Sequence, residues 1–254
     1  APQQHRALLA EHVAFDDGAA RASTQEVDPA RAVDCVSSGR PIPSTEVAIW
    51  DPDGRRVRGD GEVGEIVVQG PGVAGGYWQR PDVPGEAFNL ELPGRPGLWL
   101  RTGDLGFLRA GELFVTGRRK DLLILAGANY YPQDIEAAVE ASDPAFRPGC
   151  TAAFSVELPE LEEGVVVVAE VPGARPGDAA RLAPRAQAAV GEALGLRLEA
   201  LVLLPPETLP KTTSGKVRRQ PCRTAWLAGE LPALATWQRS PALPVVPPVT
   251  PTSD

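Results

Sequence analysis

The chain has 254 residues, 43% of them hydrophobic, with a formal net charge of -8. That length fits one large domain or two small ones, and the apolar content is ample for a core and too high for a wholly disordered chain. The acidic balance excludes a general nucleic-acid binder, and three scattered cysteines (Cys35, Cys150, Cys222) with only two histidines (His5, His12) leave no parts for a disulfide framework, a zinc site or a Ser-His-Asp triad.

In chain order, residues 1–40 show weak periodicity and read as a surface segment or insertion, with one helix near Gln4–Val13. Thr45–Trp50 alternates as a strand. Asp51-Pro52-Asp53-Gly54 then supplies a turn. Glu62–Gln69, centred on Val67-Val68, is the next expected strand. Trp99–Leu105 and Glu112–Thr116 follow as short strands around an Ala110-Gly111 turn. This first stretch is expected to be mostly β.

The character changes after Gly117. Leu122–Leu125 is a short apolar strand. Pro132-Gln133-Asp134-Ile135-Glu136 opens a helix, with Pro suited to the first turn and the acids complementing the dipole. Cys150–Val156 and Val165–Val171 read as strands. Ala179–Leu194 reads as a helix capped by Gly195, with Pro184 predicting a kink or a late start. Leu198–Leu204 is the last predicted strand. Strands mixed with helices imply a compact α+β domain. Five prolines between Ser240 and Asp254 predict an extended tail or linker.

No apolar run approaches the roughly 20 residues that a membrane helix needs, and no basic-then-apolar leader is visible. No membrane span is expected and the expected location is cytoplasmic. The chain begins with Ala and contains no Met.

Three stretches can carry chemistry. In Arg101-Thr102-Gly103-Asp104-Leu105-Gly106 a carboxylate at a strand end can accept two hydrogen bonds from a sugar diol. A turn with a solvated Asp is the competing reading. Gly117-Arg118-Arg119-Lys120-Asp121 lies at the change of character. It reads as a solvated charge cluster or as a hinge between two domains. Leu209 to Arg219 contains Pro210-Lys211-Thr212-Thr213-Ser214-Gly215-Lys216. A phosphate loop fails here, because position 210 is Pro and Val217 follows the lysine. What remains is a loop presenting one ammonium group, able to offset negative charge in a closed site, or a basic loop that touches nothing.

Together and in order, Gly64-Glu65-Ile66, Gly75-Gly76-Tyr77-Trp78, Arg101-Thr102-Gly103-Asp104, Gly117-Arg118-x-Lys120-Asp121 and Pro210–Lys216 resemble the adenylate-forming superfamily of acyl-CoA synthetases, luciferases and peptide synthetase adenylation domains. The wording of Thr102–Leu108, Gly111–Arg118 and Asn129–Glu136 is most similar to fatty acyl-AMP ligases, and the likeness covers about residues 33–225.

The resemblance implies a division into 1–117, a β-rich C-terminal part of the large AMP-binding domain with an insertion at 1–32; 118–232, a small mobile α+β lid; and 233–254, a Pro-rich tail. It implies that Asp104 and Arg118 hold the ribose of ATP, that Lys120 is the hinge, and that Lys216 is catalytic, bridging the carboxylate and the α-phosphate. The implied reaction joins a fatty acid and ATP to give acyl-AMP and pyrophosphate, with Mg2+ whose ligands are not in this chain. The acyl group would then pass to the phosphopantetheine thiol of an acyl carrier protein or polyketide synthase module. The family's phosphate loop, acyl tunnel and adenine motif lie upstream of everything matched, so the chain is expected to be inactive without an N-terminal half. Ala126-Gly127-Ala128 stands where the family often has basic residues, which leaves CoA open as the acceptor. A non-catalytic interaction domain that kept the fold is the reading from a different class.

Overall fold

The computed structural model describes residues 10–16, 19–23, 33–79, 85–157 and 163–239. The chain is mixed α+β, as expected, and divides into two units, Ala1–Lys120 and Asp121–Asp254.

The first unit is built of β-strands. β1 (Ala10–Asp16) pairs antiparallel with β2 (Ala19–Ser23) and with β3 (Val33–Val36). The expected helix near Gln4–Val13 is thus corrected over residues 10–13, which are strand; its earlier part lies outside the described residues. Weak periodicity gave little to oppose pairing on both edges of β1.

β4 (Glu46–Asp51), β5 (Arg56–Val57), β6 (Gly64–Gln69), β7 (Leu90–Leu92) and β8 (Arg95–Arg109) form an antiparallel sheet in the order β5-β4-β6-β8-β7, and β9 (Glu112–Arg118) also pairs with β8. β8 is one strand of 15 residues where the sequence predicts only a short one. It serves three partners in succession, pairing with β7 early and with β9 late while β6 runs alongside.

Side chains from alternate positions fill two small cores. Trp50, Val67, Leu92 and Trp99 make one; Cys35, Val63, Phe107 and Phe114 make the other, with the two Phe rings stacked 4.8 Å apart. Gly106 is required where the two strands meet, because a Cβ there would lie 2.3 Å from the Phe114 carbonyl oxygen. The Asp51 turn closes as expected: Asp51 Oδ1 accepts the amides of Asp53 and Gly54.

The second unit is three-layered. A hairpin of β10 (Leu123–Leu125) and β11 (Ala128–Tyr130) leads into α1 (Pro132–Ser142), with Pro132 in the first turn. β12 (Thr151–Val156) and β13 (Gly164–Glu170) are antiparallel. β13 then connects through α2 (Asp178–Leu194) to the parallel β14 (Leu198–Leu204). α3 (Arg219–Leu227) and β15 (Ala235–Gln238) complete the unit, and the sheet order is β12-β13-β14-β15.

Every residue of β13 and β14 is buried, because both faces of the sheet are covered. Val165, Val167, Leu201 and Leu203 meet Ile135 and Val139 of α1 and Leu182, Ala186 and Val190 of α2. Val166, Val168, Ala200 and Val202 meet Cys222 and Trp226 of α3 on the opposite face. The period of two along each strand sorts the side chains between these layers.

α2 starts at Asp178, so Pro184 does not delay it; Gly195 caps it at φ 69° with its amide on the Gly191 carbonyl. In this unit β11, α3 and β15 were not foreseen. α3 is short, and its Pro221 falls in the first turn, where the missing N–H costs nothing. β15 corrects the expected tail boundary at 233: Ala235–Gln238 pairs with β14 because β14 would otherwise present an open edge. The Pro-rich stretch from Ser240 onward lies outside the described residues. Among the described residues no helix is long and apolar enough to cross a membrane.

Candidate active-site elements

In the first unit, β8 and β9 bring Asp104 and Arg118 together. The two residues are register partners across the strands, and Arg118 Nε donates to Asp104 Oδ1 at 3.0 Å. The pair is open to solvent, with the Arg118 side chain 63% exposed and Asp104 35%. An exposed pair of this kind contributes little to stability, roughly 0–1 kcal/mol, so its exposure leaves both groups available to a ligand.

Three neighbours aim Asp104. The Thr102 hydroxyl donates to the Ile66 carbonyl of β6 at 2.7 Å and accepts the Asp104 amide at 3.1 Å. Gly103, at φ 75°, turns the chain through the left-handed region between them. Arg101 Nε and Nη2 donate to Glu65 Oε2 at 3.1 and 2.6 Å, and Glu65 is only 3% exposed. Sequence spacing identifies Asp104 but not the Glu65 and Thr102 that hold its strand.

Lys120 is exposed and lies in a single 3₁₀ turn, Arg119–Asp121, that follows β9. Its neighbour Arg119 reaches Glu65 Oε2 at 3.5 Å.

In the second unit Lys216 is exposed on a small hairpin. Lys211 and Val217 bridge its two sides, the Arg218 amide donates to the Pro210 carbonyl, and the Thr212 amide donates to the Lys216 carbonyl at 2.8 Å. The Thr212 hydroxyl accepts the Lys216 amide at 3.0 Å, and Gly215 makes the bend at φ 81°. The loop foreseen from sequence is therefore internally hydrogen-bonded. No hydrogen bond or ion pair to the Lys216 ammonium is made among the described residues.

The hairpin is fastened at both ends. Before it, the Leu209 amide donates to buried Glu170, whose other oxygen lies 3.7 Å from Lys211 Nζ. Burial alone would raise the Glu170 carboxyl, but the Leu209 amide, the Lys211 ammonium and hydrogen bonds from Cys150 and the Glu207 amide together hold it below the usual carboxylate range. After it, Arg219 Nε and Nη2 each donate to Glu136 at 2.7 Å, one to each oxygen, and Nη1 reaches Asp121 at 3.3 Å. Glu136 also accepts the Ala153 amide at 2.9 Å. The bidentate pair is a charge-assisted contact of the strong kind. Neither Glu170 nor Arg219 is legible as a support in the sequence, since each partner is remote along the chain.

Among the described residues no group of three or more His, Cys, Asp or Glu is arranged to hold a metal ion.

Solved structures of adenylate-forming enzymes are structural neighbours of this fold. Residues 18–78 match the family model of AMP-binding enzymes, and residues 120–236 match that of the Disco-interacting protein 2-like AMP domain. The chain belongs to the adenylate-forming superfamily and, within it, to the fatty acyl-AMP ligases. It is 42% identical over 199 residues to the medium-chain-fatty-acid–[acyl-carrier-protein] ligase JamA of Moorena producens, covering 77% of this chain and 33% of JamA. It is 38% identical over 205 residues to the long-chain-fatty-acid–AMP ligase FadD26 of Mycobacterium marinum, covering 77% and 34%. FadD21 of Mycobacterium leprae, whose name assigns it to the fatty-acid–CoA ligases, is 44% identical over 173 residues, covering 64% and 29%. A solved structure from work on fatty acyl-adenylate ligases of E. coli and L. pneumophila superposes with a TM-score of 0.72 at 27% identity, covering 86% of this chain and 38% of that one. The chain thus spans about a third of the length of the curated relatives it matches.

Proposed function

We propose that this chain supplies the ribose-contacting strands and the mobile lid of a ligase that activates a fatty acid with ATP, forming acyl-AMP and pyrophosphate. The observation that carries the reading is the Asp104–Arg118 pair, 3.0 Å apart and solvent-open where β9 ends beside the interior of β8, in a chain of this family that also carries Lys216 with no partner among the described residues. Asp104 Oδ1 is taken by Arg118, and its second oxygen can accept from a ribose hydroxyl. The Arg118 Nη atoms can reach the same sugar.

In the proposed reaction the acid's carboxylate oxygen bonds to the α-phosphorus, and the bond from phosphorus to the bridging oxygen breaks. That electron pair leaves with pyrophosphate. Two anions must approach, and an ammonium placed between them lowers the repulsion where charge develops. Lys216 is suited to this because the Thr212 contacts hold its backbone while its side chain stays exposed. Lys120 is proposed as the hinge by which the second unit, Asp121–Asp254, presents Lys216 in one half-reaction and withdraws it in the other. In the second step a thiolate attacks the acyl carbon and AMP leaves. We take the thiol to be the phosphopantetheine of a carrier protein, as the name of JamA suggests, with CoA as the alternative that the name of FadD21 suggests. Mg2+ would enter with the ATP phosphates, since the described residues offer it no ligand cluster.

Because the chain matches a third of its relatives' length, we propose that it does not form acyl-AMP alone. The test is acyl-AMP formation from a panel of fatty acids by this chain alone, and by this chain mixed with the preceding region of a relative such as JamA. Formation in the mixture supports the reading, and supplying holo-carrier protein or CoA then identifies the acceptor. With both pieces folded and acyl-AMP absent from every mixture, a non-catalytic interaction domain is the better account. Within an active mixture, Asp104→Ala is expected to raise the KM for ATP about tenfold or more, the loss of a charge-assisted hydrogen-bond pair.

A further inference from the structure

We infer that Arg119 and Asp121 are positioning residues that confine bending to Lys120, the one residue between them. This inference rests on Lys120 as the proposed hinge and adds to it the means by which the hinge is limited to a single position.

The two neighbours of Lys120 are tethered to different units. On the preceding side, Arg119 Nη1 lies 3.5 Å from Glu65 Oε2, a carboxylate 3% exposed on β6. Glu65 is itself fixed by two hydrogen bonds from Arg101 of β8, so the tether ends in the sheet of the first unit. On the following side, Asp121 Oδ2 accepts from Arg219 Nη1 at 3.3 Å. Arg219 is held by Glu136 through two contacts of 2.7 Å, and Glu136 reaches the Ala153 amide of β12. That tether ends in the sheet of the second unit. Lys120 itself is exposed, and no such tether to it is made among the described residues.

Large dihedral changes in a domain motion are absorbed by the few residues that lack such restraints. With Arg119 and Asp121 each fastened to a buried carboxylate network, Lys120 is where the change costs least. Arg219 has a second consequence. It starts α3 just after the Lys216 hairpin and also donates to Asp121, so the residue that leaves the hinge and the residue that leaves the lysine hairpin are joined directly, with Glu136 holding the arginine. A rotation at Lys120 therefore carries the Lys216 hairpin as part of a rigid body.

The variants that test this leave both buried carboxylates paired. In Arg119→Gln, Glu65 keeps Arg101; in Asp121→Asn, Glu136 keeps both contacts from Arg219. Amide hydrogen exchange of residues 118–123 is read in the whole chain by mass spectrometry with fragmentation. Each variant should speed exchange of this segment about three- to fivefold, the effect of one partly exposed ion pair. Exchange in β13 and the melting temperature should stay at wild-type values. Arg119→Lys should restore the slow rate, and the double variant should show the product of the single effects, since the tethers lie in separate networks. The inference is overturned if either single variant exchanges at the wild-type rate, or if faster exchange spreads into β13. The readout does not depend on catalysis, so wild-type activity in Lys216→Ala would sink the ligase reading and leave the tethers standing.

Discussion

Asp134 shows how a single residue can set a pH dependence. Burial first, and then the negative Glu136 two positions on, push its carboxyl from 3.8 up to about 6. A raised carboxyl means that the fold favours the protonated form. Its contribution is whole below about pH 4 and is lost as pH rises through about 6. Asp134→Asn should therefore stabilise the chain by roughly 1–3 kcal/mol near pH 7 and by little at pH 4. Urea unfolding at the two pH values measures the difference, and an equal gain at both would count against the assignment. Gly106→Ala is the opposite case. Its Cβ would sit 2.3 Å from a backbone oxygen and 2.8 Å from Ile66 Cδ1, so β8 and β9 must separate. A loss of about 2 kcal/mol or more is expected, with unfolding of the first unit as the readout. Ala110 and Ala126 each occupy the first position of a two-residue hairpin turn at φ near 50°, followed by a positive-φ glycine. Such turns favour Asn in that place, and Ala126→Asn should add about 0.5–1 kcal/mol of stability. Cys222 is fully buried, and burial pushes its thiol up to about 12, so it should resist alkylation until the chain unfolds.

Among the elements, those with strong local signals were legible. β4, β6, α1, β12, β13, α2 and β14 fall where apolar patterning and turn residues place them, with Gly195 closing α2. The misses have local causes. The sequence around β1 has no clear period, so pairing with β2 and β3 decides the form of Ala10–Asp16. α3 follows a polar, basic loop and carries a proline, and only its packing through Cys222 and Trp226 makes it a helix. β15 is short and precedes a Pro-rich run, so composition hid it, while Ala235 is buried against the core under α1 and α2. A chain ending at Leu234 should therefore lose several degrees of melting temperature, of order 5 °C or more. A chain in which Ala235–Gln238 were merely tail would melt unchanged. The candidate site divides in the same way. Asp104, Arg118, Lys120 and Lys216 stand out because motifs are contiguous. Their supports do not, because Glu65 and Arg119 lie 54 positions apart and Glu136 and Arg219 lie 83 apart. Only folding brings such partners into contact.

At the scale of the whole molecule, the two units carry complementary equipment. The first presents an open carboxylate–guanidinium pair suited to a sugar diol, and the second presents a fastened hairpin with an exposed ammonium. The proposed use of both is the activation of an acid. The central claim is that Lys216 lowers the barrier to adenylation. It is tested most directly by fatty-acid-dependent ATP–pyrophosphate exchange, in a mixture of this chain with the preceding region of a relative. Lys216→Ala should slow exchange about a hundred- to a thousandfold, the usual cost of losing one electrostatic contact to developing charge, while the variant's melting temperature stays at the wild-type value. Exchange at the wild-type rate in Lys216→Ala would contradict the account.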